Sequence, residues 1–400
     1  MLNSIFQNKK FNICNLFNLN FIFILTVSEL SYSDLYARYF QADVLYNNVS
    51  DVKWYIFGGN FNANNKSGMN EILYLDLLKP FNANSSPWNK NSIKIPVAIS
   101  QSALCISSSS IFLIGGNMRD TMYQAANYSS FYTLNLDDSQ WTIPNITGVN
   151  ETFLGRQDLK AVIDSHRRIF LFGGISLRLN YTVFGDMNII NMNTMTSLTL
   201  PIQNLPRRGY TATLLKNNCI IYIGGKSNES ITSHIDMNMI HIFNTTSLSW
   251  SNMQAIGDKI SSRSGHSAVL TQNETIIIYG GGTGAYYFIQ SEPVLATLDT
   301  TVNPMIWIIP NNSSTSNAPP SLRYHSATLY NNFMLIAFGW ISTNTFQLND
   351  RIYIYDVINN NWITTMDRIL DTAVDASLNN PQFYWLITIK RDSFSKHMTV

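Results

Sequence analysis

Apolar stretches in this chain end on paired glycines, and the pairs recur. Gly58–Gly59, Gly115–Gly116, Gly173–Gly174, Gly224–Gly225 and Gly280–Gly281 each close such a stretch, and a sixth stretch, FMLIAFGW, ends on Gly339 before Trp340. Successive first glycines lie 57, 58, 51, 56 and 59 residues apart. A period of that size marks one supersecondary unit copied several times, each copy too small to bury its apolar faces alone. The 400 residues therefore read as one repeat array rather than as two or three unrelated domains.

The register inside each unit is tighter than the period. Fourteen residues separate His266 from Gly280, Tyr210 from Gly224, His325 from Gly339, Leu159 from Gly173 and Gln101 from Gly115. The first unit carries three more residues in its hairpin. Constant spacing between variable loops is what two strands paired in fixed register produce. Downstream, an apolar strand closes on Asp or Asn (EILYLDL, SFYTLNL, DMNIINMN, MIHIFN, VLATLD, DRIYIYD). Those side chains hydrogen-bond the turning backbone. A tryptophan follows at Trp88, Trp141, Trp250, Trp307 and Trp362, whereas the third unit has only Leu198. Each unit is thus four short strands, a to d, with the glycines after strand b. Glycine there permits positive φ and close backbone approach.

Four-stranded units of this kind bury both faces only when stacked radially, so the expected fold is all-β, a β-propeller of four-stranded antiparallel blades. The combination of Arg-x-Gly-His, paired glycine, Asp/Asn and Trp resembles the kelch repeat over about residues 37–365. The resemblance implies that strand a lines a central channel and that the b–c and d–a loops form the surfaces where partners bind. Six blades are expected. After Trp362 the stretch DASLNNPQFYWLITIKRDSF repeats the a–b pattern once more, which leaves seven as the alternative. The organisation expected is a signal peptide or signal anchor at 1–33, a propeller at 34–365, and a degenerate partial repeat or extension at 366–400.

Composition narrows the partners. With 26 basic and 25 acidic residues the formal charge is +1, which provides no electrostatic footprint for nucleic acid or an anionic membrane. Polarity comes from 47 asparagines with many serines and threonines. Cys105 and Cys219 fall on apolar strand patterns of different units and read as small core residues. At the N-terminus Lys9–Lys10, the apolar stretch Phe17–Val27 and then small polar residues follow the order of a secretory signal. Export is therefore the expectation, with membrane attachment only if that segment is uncleaved. Export gives meaning to the twelve Asn-x-Ser/Thr sites, among them Asn65, Asn127, Asn145, Asn180, Asn228 and Asn244.

Some kelch-like propellers are enzymes, and the resemblance to galactose oxidase implies a copper site of two His, two Tyr and a cross-linked Cys. Of the six histidines, His266 and His325 occupy the repeat's own position and read as packing residues, His166 sits in a hairpin turn and His397 in the tail. His234 and His241 flank one strand, but no zinc-type or phosphate-loop spacing accompanies them. No catalytic residue, metal or cofactor is expected. What stands out is a surface: the b–c loops are irregular and carry Arg119, Tyr123, Arg178, Tyr181, Tyr286, Tyr287 and Phe288, of types enriched at interfaces. The expected function is a secreted or surface-exposed, non-catalytic interaction module binding a protein or a glycan. The alternative is a carbohydrate-active or galactose-oxidase-like oxidoreductase.

Overall fold

The computed structural model describes residues 37–367 except 62–67, 86–87, 120–130, 150–152, 154, 177–178, 203–205, 228–232, 285–288, 312–315 and 343–344. The leader at 1–33 and the partial repeat from 368 onward lie outside the described residues.

Six sheets follow one another along the chain, each with four antiparallel strands hydrogen-bonded in the order a-b-c-d, and that of blade 5 adds Ile256–Gly257 parallel to its strand d. Their a strands are Ala42–Asn48, Ala103–Ser107, Ala161–Ile163, Thr211–Leu214, Ser267–Leu270 and Ser326–Tyr330. Each pairs with its b strand, in the same order Asp51–Phe57, Ser110–Ile114, Arg168–Phe172, Cys219–Ile223, Thr275–Tyr279 and Phe333–Ala337. Every a strand touches the a strands of both neighbouring blades, and that of blade 6 touches that of blade 1. The fold is a closed six-bladed propeller.

The sequence pattern follows from this stacking. Strand b is buried on both faces, so Ile276–Tyr279 is continuously apolar and fully buried, whereas strand a alternates. Six separate hydrophobic clusters fill the six seams, the last joining Leu335, Phe338 and Ile354 of blade 6 to Trp54, Leu73 and Trp88 of blade 1. The strand d tryptophan reaches back to the preceding blade. Trp250 lies 4.7 Å from Phe172, Trp362 5.4 Å from Tyr279, and Trp88 stacks at 4.9 Å on Phe338. Leu198 does not substitute for the missing tryptophan, since it is half exposed. Phe153, from the linker before blade 3, fills that seam instead and stacks on Phe131 at 5.5 Å.

The paired glycines are inter-blade joints. The second glycine of each blade donates its N–H to a carbonyl of the next blade: Gly59 to Ile99, Gly116 to Arg156, Gly174 to Arg207, Gly225 to Arg263, Gly281 to Leu322, and Gly339 to Arg38, all at 2.7–2.9 Å. The first glycine must clear that same carbonyl. A Cβ on Gly224, where φ is +60°, would sit 2.9 Å from the Arg263 oxygen. Gly339 occupies the second place, and the first is held by Phe338 in the same left-handed conformation, φ 63°. Unit six therefore lacks the first glycine, and its 14-residue spacing is measured to the second. In unit two Ala103 pairs with Ile114, so Ser102, not Gln101, is the counterpart of His266. Shorter hairpins account for both differences.

The Asp and Asn residues that end strand c all act as turn formers. Asp76, Asn135, Asn191, Asn244, Asp299 and Asp356 each accept the backbone N–H two residues on, at 2.9–3.1 Å.

Candidate functional site: the axial mouth and the loop face

Strand a starts, and strand b ends, on the same face of the ring, so the b–c and d–a loops share it. At its centre a residue just before each a strand, two before it in five blades and three before it in blade 3, adopts a left-handed backbone: Phe40, Gln101, Asp158, Gly209, Gly265 and Tyr324, with φ between 56° and 69°. Their amides and carbonyls form a closed circle. Gln101 donates to Phe40, Asp158 to Gln101, Gly209 to Asp158, Gly265 to Gly209, Tyr324 to Gly265, and Phe40 back to Tyr324, at 2.8–3.3 Å. Left-handed φ costs a residue with a side chain about 1–2 kcal/mol. The hydrogen bond each gains, and the burial around it, over-determine that conformation.

Side chains make this circle asymmetric. Gly209 and Gly265 leave bare backbone on one side. On the other, the rings of Phe40 and Tyr324 lie 3.9 Å apart, and the Arg323 guanidinium sits 4.6 Å from the Tyr324 ring centre. Gly265 is needed because a Cβ there would stand 2.7 Å from Tyr324 Cε1. Asp158 is held by Arg208 at 2.9 Å.

Beneath the circle a cavity of about 40 Å³ is lined by Gln41, Ser102, Lys160, Tyr210, His266 and His325 together with the circle residues. Both histidines bond across a seam: His266 Nε2 meets Thr211 Oγ1 at 3.1 Å, and His325 Nε2 meets Ser267 Oγ at 2.7 Å. Gln41 Nε2 donates to Ser326 Oγ at 3.0 Å in the same way. Burial, reinforced by the charge of Lys160, pushes His325 down to about 3. Burial with the cations Arg263 and Lys160 and the neighbouring His325 holds His266 well below its ordinary range. Both rings are therefore neutral at pH 7. Deeper, Asp43 is raised by burial, while Lys160 and the Trp54 Nε1 donor pull it back. Such a cavity admits water or one small polar group, but not a substrate-sized molecule, which needs several hundred Å³.

The arginine that stands three residues before Gln41, Leu159, Tyr210 and His266 is structural. Arg38, Arg156 and Arg263 each donate through Nη1 to the carbonyl of their own blade's first glycine, at 2.9–3.1 Å. Arg156 also makes a bidentate pair with Asp186, at 2.6 and 2.9 Å. Arg207 instead meets the His241 ring, and burial lowers its guanidinium to about 10. His234 turns elsewhere, to Ser264 Oγ at 3.3 Å, so the two histidines that flank one strand in sequence do not form a joint site. Among the described residues no three His, Cys, Asp or Glu side chains converge as metal ligands.

The loop face is more ordered than its irregular sequence implies. Short two-stranded ribbons stand on blades 2, 3, 5 and 6, pairing Ala98–Ser100 with Asn117–Arg119, Ile175–Ser176 with Thr182–Val183, Gly282–Thr283 with Ile289–Gln290, and Leu322–Arg323 with Trp340–Ile341. Arg119 is half-buried at a ribbon end, and Tyr181 is 60 % exposed beside Leu179. Tyr123, Arg178, Tyr286, Tyr287 and Phe288 lie outside the described residues, as do Asn65, Asn127 and Asn228. Asn145 and Asn180 are exposed, whereas the Asn244 side chain is occupied in its turn. The mouth residues Phe40, Lys160 and Tyr324 escape sequence reasoning. For Phe40 and Tyr324 the signal is the Gly of Arg-x-Gly-His, which marks a left-handed position that four blades fill with other residues.

These features define a kelch-type β-propeller, a class whose blades carry interaction surfaces on their loops. Residues 5–288 match the family model described as the attractin/LZTR1 beta-propeller, and the chain belongs to that family. Residues 209–369 match the KLHDC2/KLHL20/DRC7 kelch-repeats domain. Among curated relatives, Tip elongation aberrant protein 1 of Schizosaccharomyces pombe is 28% identical over 192 residues, covering 47% of this chain and 14% of that protein. Acyl-CoA-binding domain-containing protein 4 of Arabidopsis thaliana is 24% identical over 219 residues, 52% of this chain and 30% of the relative. The human Rab9 effector protein with kelch motifs is 24% identical over 183 residues, 44% and 45% of the two chains. The match thus takes in less than half the length of each of these relatives.

Proposed function

We propose that the chain is a non-catalytic docking module that binds a protein partner through the loop face surrounding the axial mouth. One observation carries this reading. Phe61, Leu179, Tyr181 and Ile289 are each between 45 and 60 % exposed, and all belong to b–c loops of that face. Exposed large apolar side chains on the face that carries the b–c loops are of the kind an interaction surface presents. The kelch class and a relative described as a Rab9 effector support a protein rather than a glycan as the partner. The leader and the Asn-x-Ser/Thr sites support export to an extracellular setting.

The test is site-specific photo-crosslinking in the native cell. Probes at Arg119 and Tyr181 are expected to trap one common partner. Probes at Val49 and Ile358, exposed turn tips on the opposite face, are expected to trap none. A partner trapped only from the turn face would overturn the assignment.

A further inference from the structure

The face opposite the docking loops holds two acceptor sequences for N-linked sugar. Asn48-Val49-Ser50 lies in the a–b turn of blade 1, and Asn273-Glu274-Thr275 in that of blade 5. The a–b turns of the other four blades contain no Asn-x-Ser/Thr. The a strands touch one another around the ring, so their turns stand at the centre of this face, and blade 6 separates the two acceptors.

Both turns present the asparagine to solvent. Asn48 and Ser50 are exposed, and Val49 between them is the most exposed large apolar residue among those described. Asn48 Oδ1 accepts the Val49 N–H at 2.7 Å, and Nδ2 donates to the Tyr46 hydroxyl at 3.2 Å. Sugar attachment leaves that oxygen and one amide hydrogen in place. In blade 5 the backbone alone closes the turn, Thr271 donating to Thr275 at 2.9 Å and Glu274 to Thr271 at 3.1 Å. Asn273 is exposed, and its side chain makes no hydrogen bond among the described residues. Asn244 is the contrast. Its Oδ1 holds the amides of Thr246 and Ser247, and its half-buried Nδ2 faces Cys219 Sγ at 3.9 Å, so a sugar there would press on strand b of its own blade.

We propose that Asn48 and Asn273 carry N-linked glycans, which cover the centre of the turn face and leave the loop face as the side open to a protein partner. This inference rests on the export reading, since the acceptor reaction belongs to the secretory compartment. In that reaction Nδ2 of the asparagine forms a bond to C1 of an oligosaccharide carried on a lipid diphosphate. The bond from C1 to the diphosphate oxygen breaks, the diphosphate leaves with the electron pair, and Nδ2 releases one proton to a base of the transferase. A bulky hydrophilic group on a turn tip displaces no packed side chain, and on Asn48 it screens Val49 from contact with other proteins.

The test expresses the full chain in a secretory eukaryotic host, once with its own leader and once behind a leader of the host. Chain from medium and cells is treated with a glycan-releasing amidase in heavy-oxygen water, which marks each formerly modified asparagine for mass spectrometry. The expected result is a mark at Asn48 and Asn273 and none at Asn244. Asn48→Gln and Asn273→Gln are each expected to remove one step of gel mobility, and the double variant both. Ser50→Ala, which keeps Asn48 and its turn bond, is expected to remove the first step as well. An unmarked Asn48 or Asn273 behind the host leader would overturn the inference. Marks behind the host leader only would sink the export reading, with the two acceptors themselves sound. The cover has its own readout: Val49→Cys is expected to react more slowly with a polymer-bearing maleimide before sugar release than after it, and equal rates would overturn the cover. Asn180 stands between Leu179 and Tyr181 on the loop face, so a mark there would sink the docking role of those two residues and leave the turn-face glycans untouched.

Discussion

The amide of Phe40 donates to the carbonyl of Tyr324 at 3.3 Å, so the first blade is tied to the last through the same bond that ties every neighbouring pair around the axis. The rings of these two residues also lie 3.9 Å apart. Closure needs no strand shared between the chain ends at the centre. At the rim, Thr365–Met366 pairs with Phe81–Asn82 and fastens blade 6 to blade 1 a second time.

The two glycines of the circle differ in the space around them. A Cβ on Gly209 would meet nothing nearer than 3.3 Å, whereas one on Gly265 would press on Tyr324. Gly209→Ala is expected to cost about 1 kcal/mol, the left-handed penalty alone. Gly265→Ala is expected to cost about 2–4 kcal/mol because the ring must also move. Urea denaturation of the two variants checks the order.

Phe338 holds a left-handed position that glycine occupies in the other five blades. Its ring stacks on Trp88 and lies 5.5 Å from the Arg38 guanidinium. Phe338→Ala should destabilise by about 3–5 kcal/mol. Phe338→Gly should be the milder change by about 1 kcal/mol, the reverse of the usual Ala–Gly order, because the backbone strain is relieved. Thermal unfolding of both variants decides it.

Two buried arginines at equivalent places should respond oppositely. Asp186→Ala strands the Arg156 guanidinium, which is fully buried, and should cost about 3–5 kcal/mol. Arg207 has no carboxylate in hydrogen-bond contact among the described residues, and its Nε and Nη1 lack partners. Arg207→Met should therefore be neutral or stabilising by about 1 kcal/mol, measured by chemical denaturation.

Acid should weaken the ring from its centre. Burial lowers His325 to about 3 and His241 to about 4, and holds His266 well below the ordinary imidazole range. Between those values and the unfolded value near 6.5 the unfolded chain binds more protons, so stability is full above that pH and falls as pH drops. Each histidine held neutral contributes a slope of about 1.4 kcal/mol per pH unit in that window. Replacing His325 by Gln should flatten the profile between pH 6 and pH 4, read as Tm against pH.

The repeat, the strand order and the turn-forming Asp and Asn residues were legible in the sequence because each depends on neighbours in one blade. A paired glycine, an Asx turn and a strand of alternating or continuous apolar residues are local solutions to backbone and burial demands. The loops stand out in the sequence as a surface, but their ribbons do not, since Asn117–Arg119 pairs with Ala98–Ser100 from the other side of the a–b hairpin.

The sequence by itself determined a radial array of four-stranded units, since no other arrangement buries both faces of strand b six times over. Only the tertiary structure decided that six units close, that Phe153 stands in for a tryptophan, and that Phe40, Lys160, His266, His325 and Tyr324 converge on the axis. These residues come from four different blades, far apart along the chain. Their meeting depends on the angle between blades, which is set by the summed packing of all six seams and is written in no single unit.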